Sequence, residues 1–122
     1  MKADNNTYIA FRTIQQREEK SPILAKIEQR FYFKLSELQK RPGNMSEEEI
    51  QNIEKIFIGI CELREKKIVQ AALSKARGGI SDLKNMLDVE RKLFDSIVDI
   101  LLQSRIRFFN EETEVITKNF MI

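Results

Sequence analysis

The chain has 122 residues, 42% of them hydrophobic and 33% charged, with a formal net charge of +2. That balance describes one foldable domain rather than a disordered segment. Ten basic and ten acidic side chains in residues 1–62, then eleven and nine in residues 63–122, exclude the basic excess of a protein built to coat duplex DNA.

A first helix is predicted from about Tyr8 to Lys20, with Thr7 or Asn6 as N-cap and Tyr8, Phe11 and Ile14 on one side. Ser21-Pro22 ends it, because the residue before a proline is pushed out of the helical region. A second helix is predicted over about 23–40. There Ile27, Phe31, Leu35 and Leu38 form one stripe at spacings of four, four and three, and the turn RPGN follows.

The third helix has the clearest start. In MSEEEI, Ser46 is the N-cap, Glu49 completes a capping box, and Met45 against Ile50 is a hydrophobic staple. Apart from Gly59, nothing breaks the pattern until Gly78-Gly79, a natural left-handed cap, so one long helix spans about 46–77. At about 1.5 Å per residue it is roughly 45 Å long. A domain of this size is somewhat under ~40 Å across. The excess length favours packing of part of this helix on another chain.

A fourth helix is predicted from Asp88, as N-cap, to about Phe109. Leu93, Phe94, Ile97, Val98, Ile100, Leu101 and Leu102 cover more than one stripe, so this helix wants neighbours on most sides, in its own bundle or in another subunit. The remaining residues, 110–122, include the β-branched and aromatic EVITKNFMI and read as a strand-like tail or linker. The expected fold is all-α, a four-helix, bundle-like domain over 1–109 with a short extension.

No histidine is present, and Cys61 is the sole cysteine, so neither a disulfide nor an ordinary zinc site is expected. Apolar neighbours mark Cys61 as a small buried hydrophobe. Neither phosphate-binding glycine motif occurs. No catalytic set, metal or cofactor is expected. The chain has no apolar run of the roughly eighteen residues that span a bilayer, and MKADNNTYIAF lacks a secretory core. A cytoplasmic setting without membrane contact is expected.

The stretch LREKKIVQAALSKARGG carries Arg64, Lys66, Lys67, Lys75 and Arg77. Acidic residues at the start of the long helix and basic ones near its end suit the helix dipole whatever the function. Arg64, Lys67, Lys75 and Arg77, with Arg105 and Arg107 from the fourth helix, are candidate nucleic-acid contacts, although the interleaved aromatics of a single-strand binder are missing. A solvated or salt-bridged face is the better reading.

The same stretch, followed by NMLDVERKLFDSIVDIL and preceded by QQREEKSPILAKIEQRFYFKL, resembles the helical A domain of archaeal GINS replication-factor subunits, the type with the A domain first. The resemblance covers about residues 8–109, and the thirteen residues after Phe109 are too few for the family's β-rich B domain. It implies a non-enzymatic, nucleoid-associated scaffold of DNA replication. Such a subunit assembles with other GINS subunits as a homo- or hetero-tetramer, binds the MCM helicase and joins a RecJ-like protein, with DNA contact secondary. Phe31, Tyr32, Ile68, Val69, Ala72, Leu73, Phe94, Ile97, Leu101 and Phe108 are then candidates for subunit interface or core. A small helical dimerising adapter is the competing reading of the same fold class.

Overall fold

In the computed structural model the backbone is described for residues 2–40 and 45–120, and the side chains for 7–40 and 45–110. The fold is all-α and bundle-like. Its helices are α1 (Lys2–Lys20), α2 (Lys34–Gln39), α3 (Glu47–Ala76) and α4 (Asp88–Phe120), with a single 3-10 turn at Phe31–Phe33.

Helix α3 is the spine, and its two ends form as the local sequence dictates. The Ser46 side chain accepts from the Glu49 backbone N–H at 3.1 Å, and the Glu49 carboxylate accepts from the Ser46 N–H at 3.2 Å, which closes the capping box. At the other end Gly78 adopts φ +84°, and the N–H groups of Gly78 and Gly79 donate to Lys75 and Ser74 carbonyls at 3.0 and 2.8 Å. This pair of bonds satisfies carbonyls that have no partner within the helix.

Contacts advance in step along α1 and α3. Phe11 packs beside Phe57, and seven residues later Glu18 reaches Arg64 and Lys67, so the two helices run parallel. Helix α4 runs parallel to α3 as well. Glu90 meets Arg64, Phe94 packs with Ile68 and Ala72, and the Arg105 guanidinium donates to the Ala76 carbonyl at 2.6 Å. The two connections run back the other way: residues 24–40 descend from the level of Arg64 to that of Glu54, and residues 81–87 from Ala71 to Arg64. Helices α1 and α4 therefore succeed one another along α3 rather than packing side by side.

Several expectations need correction. Helix α1 begins at Lys2 rather than near Tyr8 and runs through Asn6 and Thr7, so neither caps its start. The predicted second helix is mostly not helical. Residues 24–28 form no regular element, a turn and the 3-10 turn follow, and only Lys34–Gln39 form an α-helix. The stripe residues reach the core all the same: Phe31 is fully buried, and Ile27, Leu35 and Leu38 pack around it. Tertiary packing selects these apolar residues without requiring the helix their spacing suggested. The RPGN turn lies outside the described residues.

Asp88 is the first residue of α4, not its cap, and the helix continues through the expected strand-like tail to Phe120. A backbone already helical at Phe109 needs no new nucleus, so its extension overrides a weak β preference. One face of helix α3 packs on its own chain, while Ile58, 47% exposed, and other residues on its outer side stay open. Its buried residues run from Ile53 to Ala76, because α1 and α4 share its length between them.

Two apolar clusters result. The lower one centres on Phe11, Phe31, Ile53, Phe57 and Ile60, with Phe31 and Phe57 stacked at 5.0 Å between centroids. Such ring pairs add about 0.5–1.5 kcal/mol to what burial alone contributes. The upper cluster holds Leu24, Ile68, Ala72 and Phe94.

Candidate functional site

The buried face of α3 reads Ile53, Phe57, Ile60, Arg64, Ile68, Ala72, Ala76, at spacings of three or four. One member of this apolar stripe is an arginine, and it is completely buried. Arg64 sits where the C-terminal end of α1, the N-terminal end of α4 and both connections converge.

The guanidinium has five N–H groups, and each has an acceptor. Nε donates to Glu90 Oε2 at 2.6 Å and one Nη2 hydrogen to Glu90 Oε1 at 2.7 Å, a bidentate pair. The other Nη2 hydrogen reaches the Asn85 carbonyl at 3.0 Å. Nη1 donates to Glu18 Oε2 at 2.5 Å and to the Ala25 carbonyl at 2.8 Å. Lys67 uses its three N–H groups as fully, on Glu18 Oε1 at 2.6 Å and on the Glu18 and Ile23 carbonyls, both at 2.8 Å.

The carboxylates are equally engaged. Glu90 also accepts from the Tyr32 hydroxyl at 2.6 Å and from the Leu87 N–H at 2.9 Å. Both Glu18 oxygens lie within hydrogen-bond distance of the Ala25 N–H. Asn85 takes the left-handed conformation, φ +67°, which aims its carbonyl at Arg64, while its side chain donates to the Leu24 carbonyl at 3.0 Å. Asparagine tolerates that region better than most residues.

Two cations and two carboxylates make the cluster neutral overall, and the helix dipoles add to it. Lys67 and Arg64 lie against the negative C-terminal end of α1, and Glu90 lies in the first turn of α4, where the dipole favours an anion. Burial raises the Glu90 carboxyl pKa, but the bonds from Arg64, Tyr32 and Leu87 outweigh it and hold the group below its ordinary value. Burial likewise works against the Arg64 charge, and the bonds to Glu90 and Glu18 more than restore it. The Tyr32 phenol is pushed up by burial and by the Glu90 carboxylate it bonds. Chemically the cluster is a closed clasp: every cationic N–H is occupied. It fixes α1, α3, α4 and both connections to one another.

Of the six basic candidates for nucleic-acid contact, Arg64 is withdrawn into this clasp. The Lys67 side chain, 11% exposed, bonds inward as well. A polyanion meets neither, because the charges that close the clasp are buried. Lys75, Arg77 and Arg107 are exposed, and Arg105 is half-buried against the end of α3. The candidates for interface or core divide differently. Phe31, Ile68, Ala72 and Phe94 are core; Tyr32, Val69, Leu73, Ile97 and Leu101 are half-buried; Phe108 is exposed.

Sequence reasoning missed Glu18 and Glu90; of the solvated or salt-bridged face read for Arg64, the salt bridges are present but the position is buried. A signal was available: continuing the spacing Phe57, Ile60 to Ile68 and Ala72 lands a charged residue at 64, on the buried face. Beside the clasp, Phe33, Val89 and Leu93 line a groove of about 320 Å³ that borders the Tyr32 and Glu90 pair. Further along, α4 keeps Ile100, Leu102, Ile106, Phe108 and Phe109 exposed. Among the described residues, no group of three or more His, Cys, Asp or Glu is placed to hold a metal ion, and no helix is long and apolar enough to cross a membrane.

Compared with protein-family models, with curated proteins and with solved structures, the chain matches none.

Proposed function

We propose that this chain is a non-catalytic scaffold subunit of a multi-protein assembly, and specifically a GINS-type subunit that joins other such subunits and binds and activates the MCM helicase. The observation that carries the scaffold reading is the outer surface of α4. Val89, Leu93, Ile100, Leu102, Ile106, Phe108 and Phe109 are each between 42% and 66% exposed on this one helix. They lie on more than one side of the helix, and that many exposed large apolar side chains on a single element support a role in binding other proteins. The replication assignment rests on the sequence resemblance over residues 8–109. The clasp supports the scaffold reading, since its charges are spent on fixing helices rather than left open to a substrate.

The nucleic-acid reading keeps Lys75, Arg77, Arg105 and Arg107 near the end of α3, but it loses the two basic residues that sit in the clasp. The test is capture from nuclease-treated lysate of the source organism, with this chain as bait. Recovery of MCM, a RecJ-like nuclease or another GINS subunit is expected. Recovery of none of them would overturn the replication assignment.

A further inference from the structure

We infer that α4 is a releasable arm: it opens away from α3 as one unit while the core under α1 stays folded. The device belongs to the bundle itself and needs no partner, so it stands whether or not the scaffold reading does.

The two outer helices are fastened to α3 in matching ways. Among the described residues of α1 only Phe11 and Glu18 are buried, and among those of α4 only Glu90 and Phe94. Each helix thus places one phenylalanine in a core cluster and one glutamate on the Arg64 guanidinium. Among the described residues, α1 and α4 both pack on α3 and not on each other. Neither outer helix covers the other's core.

The two phenylalanines are not held equally. Phe11 lies among rings, with the Phe31 and Phe57 centroids each 5.9 Å away. To this lower cluster α3 supplies Ile53, Phe57 and Ile60, whereas around Phe94 it supplies only Ile68 and Ala72, with Leu24 beside them. Beyond Phe94 the hold passes to the half-buried Ile97, Val98 and Leu101 and to the Arg105 bond on the Ala76 carbonyl. Segments that bury few apolar side chains open at a lower free energy than the rest of a fold.

The lower cluster also stays closed when α4 leaves. Leu87, the residue before α4, is buried in that cluster, so the arm departs from an anchored position. Opening breaks the Glu90 bonds to Arg64 and Tyr32 and uncovers Leu24, Ile68 and Ala72. Arg64 keeps Glu18 and the Ala25 carbonyl, which hold the end of α1 in place.

Native-state hydrogen exchange on the full chain, under conditions where reclosing outpaces exchange, tests the order of opening. Amides 92–101 of α4 are expected to be less protected than amides 11–20 of α1 by about tenfold or more. Two substitutions read the coupling, since α1 exchanges only when the whole domain unfolds. Ile53→Val touches the lower cluster alone, and should speed exchange in α1 about fivefold while leaving α4 unchanged. Phe94→Leu should speed both by one common factor, because the contacts of Phe94 are lost in the partial and the full opening alike. Circular dichroism checks that both variants are folded. Equal protection of the two helices, with Ile53→Val speeding both alike, would show a domain that opens as one unit and would overturn the proposal. An α4 more protected than α1 overturns it as well.

Discussion

Arg64→Ala removes the centre of the clasp. The change deletes five hydrogen bonds from a fully buried guanidinium and leaves Glu90 with only the Tyr32 hydroxyl and the Leu87 N–H. Glu18 keeps Lys67 and the Ala25 N–H, so the uncompensated charge falls mainly on Glu90. Removing one partner of a buried pair costs about 3–5 kcal/mol. A domain of this size has about 5–15 kcal/mol in total, so the variant is expected to lose roughly a fifth or more of its stability. Urea unfolding followed by circular dichroism at equilibrium measures the loss. Arg64→Lys keeps the charge but offers three N–H groups in place of five and cannot grip Glu90 with two parallel bonds, so an intermediate loss is expected. The double variant Arg64→Met, Glu90→Gln removes the unpaired charge while Glu18 stays paired with Lys67, and should recover much of what Arg64→Ala loses. A loss below about 1 kcal/mol for Arg64→Ala would refute the reasoning, since that is what an exposed ion pair contributes.

Acid should weaken the same clasp. Glu90 has a folded pKa below its ordinary 4.5, so its contribution is complete above that pH and is lost as pH falls through the folded value. Stability profiles of wild type and Glu90→Gln should therefore converge below about pH 4.5, and parallel profiles would count against this. Cys61 behaves in the opposite sense. Burial and the nearby Glu90 charge push its thiol from 9.0 up to about 11. The stabilisation from the neutral thiol is complete below pH 9.0 and lost as pH rises through about 11, and the alkylation rate should show its midpoint near 11. A midpoint at or below 9 would place the thiol in water. At the ends of α3, Ser46→Ala should cost about 1 kcal/mol through the lost cap. Gly78→Ala should cost about 1–2 kcal/mol because an alanine is forced to positive φ. Equilibrium unfolding reads both, and neutral results would mean that the ends of α3 fray without consequence.

What the amino-acid sequence determined by itself was local and short in range. The capping box at Ser46 and Glu49, the left-handed glycine after Arg77 and the stop at Ser21-Pro22 each depend on a few neighbouring residues, and all three stand in the structure. The all-α class follows from the same helical periodicity.

Only the tertiary structure decided the rest, because it turns on contacts between residues far apart in the chain. Ile27, Phe31, Leu35 and Leu38 are spaced like one helix, yet an irregular run, a 3-10 turn and the short α2 deliver them to the same core, since burial rewards position and not the path taken. Arg64 could be told from its charged neighbours only by its place on the buried stripe. Its partners are Glu18, 46 residues before it, and Glu90, 26 residues after it. No periodicity in the sequence links three such positions. They meet because α1 and α4 both run parallel to α3 and abut at its middle, where two helix ends and two carboxylates make a buried arginine stable.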